Sequence, residues 1–346
     1  MSSQKIKCVV WDLDNTLWDG ILLEDEKVTL RPKMVEIIKE LDRRGILQSV
    51  SSKNDYETAK QKLAELGLWE YFIYPQINWN SKSEAVAEIS KCINIGIDTL
   101  AFIDDQQFER EEVKFSYPEV LCIDSMEPDG ILDMKEMIPK YITSDSKNRR
   151  KMYQNDIARN QVEKDFEGTK EKFLSTLNMV LKVSSAKEED LERVEELTVR
   201  THQLNSTGYI YSFNELKEFI ESDDYIVMVV QLDDKYGEYG KIGLALVEKH
   251  RDIWELKLLL MSCRVMSKGV GNVLMNHIIN KARQNNVVLR AQFVPTERNR
   301  IMYVTYKFNG FKEVENDGSL ITLEADMSYD RIIPDYVTLL DEGGVK

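Results

Sequence analysis

A short apolar run, Cys8-Val9-Val10-Trp11, stops abruptly at two carboxylates, Asp12 and Asp14. The run reads as a buried strand. One residue separates the two acids, so extended backbone puts both on one side. Thr16 and Gly20 then turn the chain away. Two like charges about 4 Å apart repel by roughly 4 kcal/mol at an effective dielectric near 20. A fold keeps them together only where a cation or a shared proton offsets that repulsion. An isolated Asp-x-Asp is usually a solvated loop, so the motif needs further support.

That support is a second apolar run, Leu100-Ala101-Phe102-Ile103, ending in Asp104 and Asp105. Two buried strands that both end in paired acids point to a divalent-metal site at the carboxyl edge of a parallel sheet. The sequence leaves open which of Asp104 and Asp105 binds metal. Between the two runs, a strand ends in Ser51-Ser52-Lys53-Asn54, and a lone Lys82 follows. Helices separate these strands. Pro32 opens one, Met34, Ile38 and Leu41 recur at helical spacing, and Gly45 ends it. Asn54-Asp55 caps the next, and Ser81 with Glu84 caps a third. Strands alternating with helices of this length predict an α/β, doubly wound parallel sheet with its ligand at the strand ends.

At 346 residues the chain has room for two domains. No apolar run approaches a membrane span. The amino terminus enters the first strand with no room for a signal peptide, which predicts a cytoplasmic protein. The net charge of −14 argues against nucleic-acid and anionic-membrane partners. Cys8, Cys92, Cys122 and Cys263 show no Cys-x-x-Cys spacing, which argues against zinc and a disulfide framework.

The ordered set Asp12, Asp14, Ser52, Lys82 and Asp104-Asp105 resembles the haloacid-dehalogenase (HAD) phosphotransferase superfamily. On that resemblance Asp12 is the nucleophile that forms an aspartyl phosphate. Asp14 protonates the leaving oxygen and then activates water. Ser52, Lys53 and Asn54 bind phosphate, and Lys82 neutralises transition-state charge. Asp12, Asp14, Asp104 and Asp105 are the candidate ligands for Mg²⁺.

Residues 128–146 read as a domain exit, and residues 145–177 as a charged helical segment. The cluster Lys147, Arg149, Arg150, Lys151 is either a solvated helix face or a docking patch for an acidic partner. Strands and helices resume near Val180. Lys268-Gly269-Val270-Gly271 opens a helix, and a second helix over 299–308 is followed by Gly310-Phe311. This pattern resembles the GNAT acyltransferase fold, whose glycine turn aims backbone N–H groups at a phosphate. The expected organisation is a HAD-like phosphatase domain over 1–140, a helical linker over 141–178 and a GNAT-like domain over 179–346. Cys263 lies just before Arg264 and this helix, a setting that favours thiolate; alone it is as readily a small core residue. The polar run Thr201-His202-Gln203-Leu204-Asn205-Ser206-Thr207-Gly208 supplies Gln203, Asn205 and Thr207 as binding candidates and His202 as a base for Cys263.

Taken together, Val10-Trp11-Asp12-Leu13-Asp14-Asn15-Thr16-Leu17-Trp18, Ser52-Lys53-Asn54-Asp55, Asp104-Asp105-Gln106-Gln107-Phe108-Glu109-Arg110-Glu111, Arg200-Thr201-His202-Gln203-Leu204-Asn205 and Ser262-Cys263-Arg264-Val265 resemble the FkbH family of polyketide pathways. The family more often has Asn at the position of His202 and Arg at that of Lys268. The resemblance implies a glyceryl transferase/phosphatase. Cys263 would take the acyl group of D-1,3-bisphosphoglycerate, a small phosphorylated three-carbon substrate, as a thioester. The Asp12 site would remove the remaining phosphate. The glyceryl group would pass to the phosphopantetheine of an acyl carrier protein, with Mg²⁺ as cofactor and no bound organic cofactor. The alternative is a Mg²⁺-dependent HAD phosphatase fused to a coenzyme A-dependent N-acetyltransferase.

Overall fold

In a computed structural model that describes residues 5–343, the chain divides into two compact units, Met1–Gln154 and Asn155–Lys346. The α/β class expected from the sequence is observed in both.

The first unit holds seven strands: β1 (Cys8–Trp11), β2 (Trp18–Asp19), β3 (Thr29–Leu30), β4 (Leu47–Ser52), β5 (Gln76–Ile77), β6 (Leu100–Asp104) and β7 (Leu121–Asp124). Five form a parallel sheet in the order β5-β4-β1-β6-β7. The order runs both ways from β1, so the crevice where ligands bind in such sheets lies at the carboxyl ends of β1 and β6. Both strands are buried along their whole length, which is why they read as continuous apolar runs. β2 and β3 pair as a small antiparallel ribbon.

The helices of this unit are α1 (Pro32–Arg43), α2 (Tyr56–Glu65), α3 (Lys82–Ile93), α4 (Gln107–Ser116) and α5 (Ser144–Lys147). Met34, Ile37, Ile38 and Leu41 form the buried face of α1. Asp55 caps α2 by accepting from Thr58 N, and Ser81 caps α3 by accepting from Glu84 N. α6 (Arg149–Lys164) crosses the division between the units. At its start the basic cluster is partly consumed inside the first unit. Arg149 is buried and donates to Gly45 O, while Arg150 pairs with Asp42 at 2.9 Å and Glu70 at 3.2 Å. Arg149 and Arg150 are thus engaged within the fold rather than part of a free basic face, while Lys147 and Lys151 stay exposed.

The second unit contains α7 (Lys170–Ser175), β8 (Met179–Ser185), α8 (Leu191–Arg200), α9 (Phe213–Glu221), β9 (Tyr225–Asp234), β10 (Gly237–Lys249), β11 (Ile253–Met261), α10 (Val270–Gln284), β12 (Val288–Phe293), α11 (Arg300–Phe308), β13 (Lys312–Asn316), β14 (Ile321–Glu324) and β15 (Val337–Asp341). Eight strands form one mixed sheet, β13-β14-β12-β11-β10-β9-β8-β15. After Phe311 the described residues hold three strands, β13, β14 and β15. β15 pairs in parallel with β8 as an edge strand. An edge strand with one buried residue carries too little alternation to read from sequence. α9 also went unread, although Ser212 and Glu215 form a capping box at its start.

β11 and β12 pair in parallel only over Ile253–Leu256 and Val288–Ala291. Beyond that point they separate, and Leu204–Ser206 fills the gap. Ser206 N donates to Leu259 O at 3.0 Å, Met261 N to Leu204 O at 2.9 Å and Val294 N to Ser206 O at 3.0 Å. Among the described residues, no helix is long and apolar enough to cross a membrane.

Candidate functional site

Asp12 follows β1, Asp104 ends β6, Lys82 opens α3 and Glu109 lies in the first turn of α4. Lys82 Nζ sits 2.5 Å from Asp12 Oδ1, 3.0 Å from Asp104 Oδ2 and 3.0 Å from Glu109 Oε2. It also donates to Ser51 O at 2.8 Å. A lysine in the first turn of a helix opposes the helix dipole. Here it is 2% exposed, so only the surrounding acids make its charge tolerable. Burial alone would lower its pKa, but Asp12, Asp104 and Glu109 outweigh burial and raise it.

The acids respond in different directions. Burial raises Asp12 against the opposing pull of Lys82. Burial, then the neighbouring charge of Asp12, raises Asp104 to about 7. Burial also opposes ionisation of Glu109, but Lys82 and Lys53 prevail and hold its pKa down. Lys53 Nζ lies 2.8 Å from Glu109 Oε1.

Asp12, Asp104 and Glu109 bring ligand oxygens within 4.8 Å of one another. With all three ionised, the carboxylates carry one charge more than the two lysines that face them, and burial resists that excess at Asp12 and Asp104. Asp104 Oδ2 is close to Lys82 but outside hydrogen-bond geometry, and Asp105 Oδ1 is a second buried oxygen without a hydrogen-bond partner. An all-oxygen set with excess negative charge fits a hard divalent cation such as Mg²⁺.

Asp14 and Asp105, expected as ligands, stand outside this three-acid cluster. Asp14 Oδ1 accepts from Trp18 Nε1 at 2.8 Å and Leu22 N at 3.0 Å, and its Oδ2 accepts from Asn54 Nδ2 at 2.9 Å. Asn15, at φ 56°, makes the turn that sends the chain from Asp14 into the β2–β3 ribbon. Ser52 ends β4 and is buried beside the cluster's strand edge. Lys53 and Asn54, expected to bind phosphate, are held here by Glu109 and Asp14. The sequence reading did not assign Glu109. An acid in a first helical turn is ordinary dipole chemistry, so its spacing from Asp104 was the available signal.

In the second unit, Cys263 begins a 3-10 turn over Cys263–Lys268 that leads into α10. It is half-buried, and none of the four cysteines is in a disulfide. Cys8 is fully buried, and burial pushes its thiol up. Cys92 and Cys122 are half-buried. Arg264 donates to Tyr239 O at 2.8 Å. Lys268 is 2% exposed, with burial lowering its pKa, and its nearest acid is Glu163 at 3.6 Å.

His202 and Gln203 are exposed, Thr207 is half-buried and Asn205 is buried. Asn205 forms an isolated antiparallel bridge with Leu260. The bridge stays isolated: residues 202–204 bend and turn, and Cys263 already belongs to the 3-10 turn. Asn205 Oδ1 accepts from Thr207 N at 3.1 Å and Gly208 N at 2.8 Å. Asn299, read from sequence only as the start of a helix, locks this loop. Its buried Nδ2 donates to Asn205 O at 3.0 Å and Val294 O at 2.9 Å. A cavity of about 180 Å³ lies beside it, lined by Leu259, Met261, Val265, Gly271, Met302 and Thr305. Gly271 faces open space, whereas Gly269, at φ +75°, packs too close to Tyr336 Oη for a side chain.

No family model matches the chain. The human protein described as magnesium-dependent phosphatase 1 is 28% identical over 136 residues, 34% of this chain and 76% of its own length. Among solved structures, the N-terminal part of BF1531 from Bacteroides fragilis, containing a phosphatase domain complexed with Mg, is 29% identical. It covers 40% of this chain at a TM-score of 0.35, and this chain spans 42% of it. The PaiA N-acetyltransferase from Thermoplasma acidophilum, in complex with coenzyme A, is 17% identical. It covers 42% of this chain and 98% of its own, at a TM-score of 0.34.

Proposed function

We propose that the Asp12 centre is a Mg²⁺-dependent phosphatase site and that the second unit transfers an acyl group from a thioester. The observation that carries the first part is Lys82 Nζ within 3.0 Å of three buried carboxylates drawn from three elements. Asp12 Oδ1 attacks the phosphorus of a bound ester, and the bond to the leaving oxygen breaks. Asp14, oriented by Trp18, Leu22 and Asn54, gives that oxygen its proton. The same carboxylate then takes a proton from water, which attacks the aspartyl phosphate and restores Asp12. Lys82 holds the nucleophile and faces the phosphoryl charge. Asp12, Asp104 and Glu109 would hold Mg²⁺, which supplies further neutralisation of the phosphoryl oxygens when bound.

For the second unit, the finer reading is glyceryl transfer. The Cys263 thiolate displaces the acyl phosphate of D-1,3-bisphosphoglycerate, forming a thioester and releasing phosphate. The acyl group then exchanges onto a carrier protein's phosphopantetheine thiol. What supports it is that the loop that follows His202 is bonded to the end of β11, Met261 N donating to Leu204 O, and that Cys263 follows Met261 by two residues. A second reading is coenzyme A-dependent N-acetyl transfer, which the glycine-opened α10 and its cavity favour because neither requires Cys263.

Intact-protein mass spectrometry after incubation with D-1,3-bisphosphoglycerate and Mg²⁺ separates the two. A glyceryl adduct on the wild type, absent from Cys263→Ala and transferable to a carrier protein, is the result expected of the first. Phosphate release without adduct, together with turnover of acetyl-coenzyme A by Cys263→Ala, gives the second.

A further inference from the structure

We propose that the outer face of α11 is the docking surface for a small acidic domain that delivers its thiol-tipped arm into the neighbouring cavity. The proposal rests on the acyl-transfer reading of the second unit.

Ile301, Val304 and Phe308 recur at helical spacing and share one face of α11. They are exposed, Phe308 to 86%. Burying such side chains is favourable, and a helix that leaves three on one face is incompletely covered. The opposite face, with Met302 and Tyr306, packs into the core.

The charge beside this stripe runs against the rest of the molecule. The chain carries a net charge of −14, yet residues 297–312 hold Arg298, Arg300, Lys307 and Lys312 against one acid, Glu297. Glu313, the next acid, is bonded to Tyr303. Arg300 and Lys307 lie one above the other, two turns apart, on the flank of the apolar stripe. Passing round the helix, the order is basic flank, exposed apolar stripe, cavity wall, core. Ile301 belongs to both the stripe and the wall, and Thr305 and Met302 continue the wall inward. Met266, 39% exposed, also lines the cavity.

A partner that is acidic and offers apolar contacts fits this order. Its charge is attracted to Arg300 and Lys307, its apolar residues cover Val304 and Phe308, and an arm leaving that contact meets the cavity. A free coenzyme A thioester has no use for the stripe. A second copy of this chain meets the repulsion of two molecules at −14 each.

The test is fluorescence anisotropy with a labelled, strongly acidic holo-acyl carrier protein and the full chain. The variants are Arg300→Glu/Lys307→Glu, Phe308→Ala and, as a control in the first unit, Lys91→Glu. Circular dichroism checks that each is folded, and Phe308 is exposed enough for its truncation to spare the core. We expect the double reversal to raise Kd at least tenfold, Phe308→Ala to raise it several-fold, and Lys91→Glu to leave it unchanged. Wild-type affinity should fall steeply with added salt. Wild-type affinity retained by the double reversal overturns the proposal. So does a dimer in sedimentation that the same reversal dissociates. Turnover of acetyl-coenzyme A with no carrier binding removes the docking surface and leaves acyl transfer standing. Acyl transfer neither to the carrier protein nor from acetyl-coenzyme A strikes the acyl-transfer reading itself.

Discussion

Lys82 and Glu109 show how much of the phosphatase site depends on single charges. Lys82 is the cation common to Asp12, Asp104 and Glu109. Lys82→Met would leave those acids unpaired, and breaking a buried pair this way costs about 3–5 kcal/mol. Denaturant unfolding without metal should show that loss, and Mg²⁺ should restore more stability to the variant than it adds to the wild type. Equal Mg²⁺ stabilisation of both proteins would remove the cluster as the metal site. Glu109→Gln keeps the side chain's shape but removes a ligand charge, so the Mg²⁺ concentration for half-maximal phosphatase activity should rise roughly tenfold or more. An unchanged Mg²⁺ requirement would restrict Glu109 to pairing with the lysines. Asp12, Asp14, Lys82 and Asp104 were legible because each stands at a strand end or helix start that the apolar pattern marks. Glu109 was not, because it is one of four acids in residues 104–111 and only folding selects it.

At the scale of elements, the ends of helices carry measurable terms. Glu40, in the last turn of α1, accepts from Arg43 at 2.7 Å and from Arg44 at 2.8 Å. Those bonds, Arg43's first, hold its pKa at about 2 against an ordinary 4.5. A carboxylate with a depressed native pKa stabilises the fold fully above its unfolded pKa. That contribution is therefore present above about pH 4.5 and is lost as pH falls toward 2. The stability difference between wild type and Glu40→Gln, read from denaturant midpoints, should shrink across that window; a difference independent of pH would assign it to packing. Ser212 and Glu215 close the capping box of α9. Ser212→Ala should cost about 1 kcal/mol in chemical denaturation, and a loss below a few tenths would mean that tertiary contacts alone hold the helix.

Over the whole molecule, each unit has its own core. One is built around Trp11, Ile38 and Ile103, and another around Leu256, Leu274 and Tyr306. Mg²⁺ should therefore raise hydrogen-exchange protection in β1, β6 and α4 and leave β11 and α10 unchanged; protection appearing first at β11 would place the metal elsewhere. The sequence by itself determined the α/β class and the strand ends that bear Asp12 and Asp104. It did so because burial on both faces writes continuous apolar runs, and the first charged residue after each run marks the sheet edge. Tertiary structure alone decided the rest. It chose Glu109 for the three-acid cluster and turned Asp14 toward Trp18, Leu22 and Asn54. It inserted Leu204–Ser206 between β11 and β12 under the hold of Asn299, and added β15 beside β8. Most of these join residues far apart in the chain, and none follows the period of a helix or strand. Such contacts leave no periodic trace along a sequence, and they become visible only when the folded backbone brings their partners within hydrogen-bond reach.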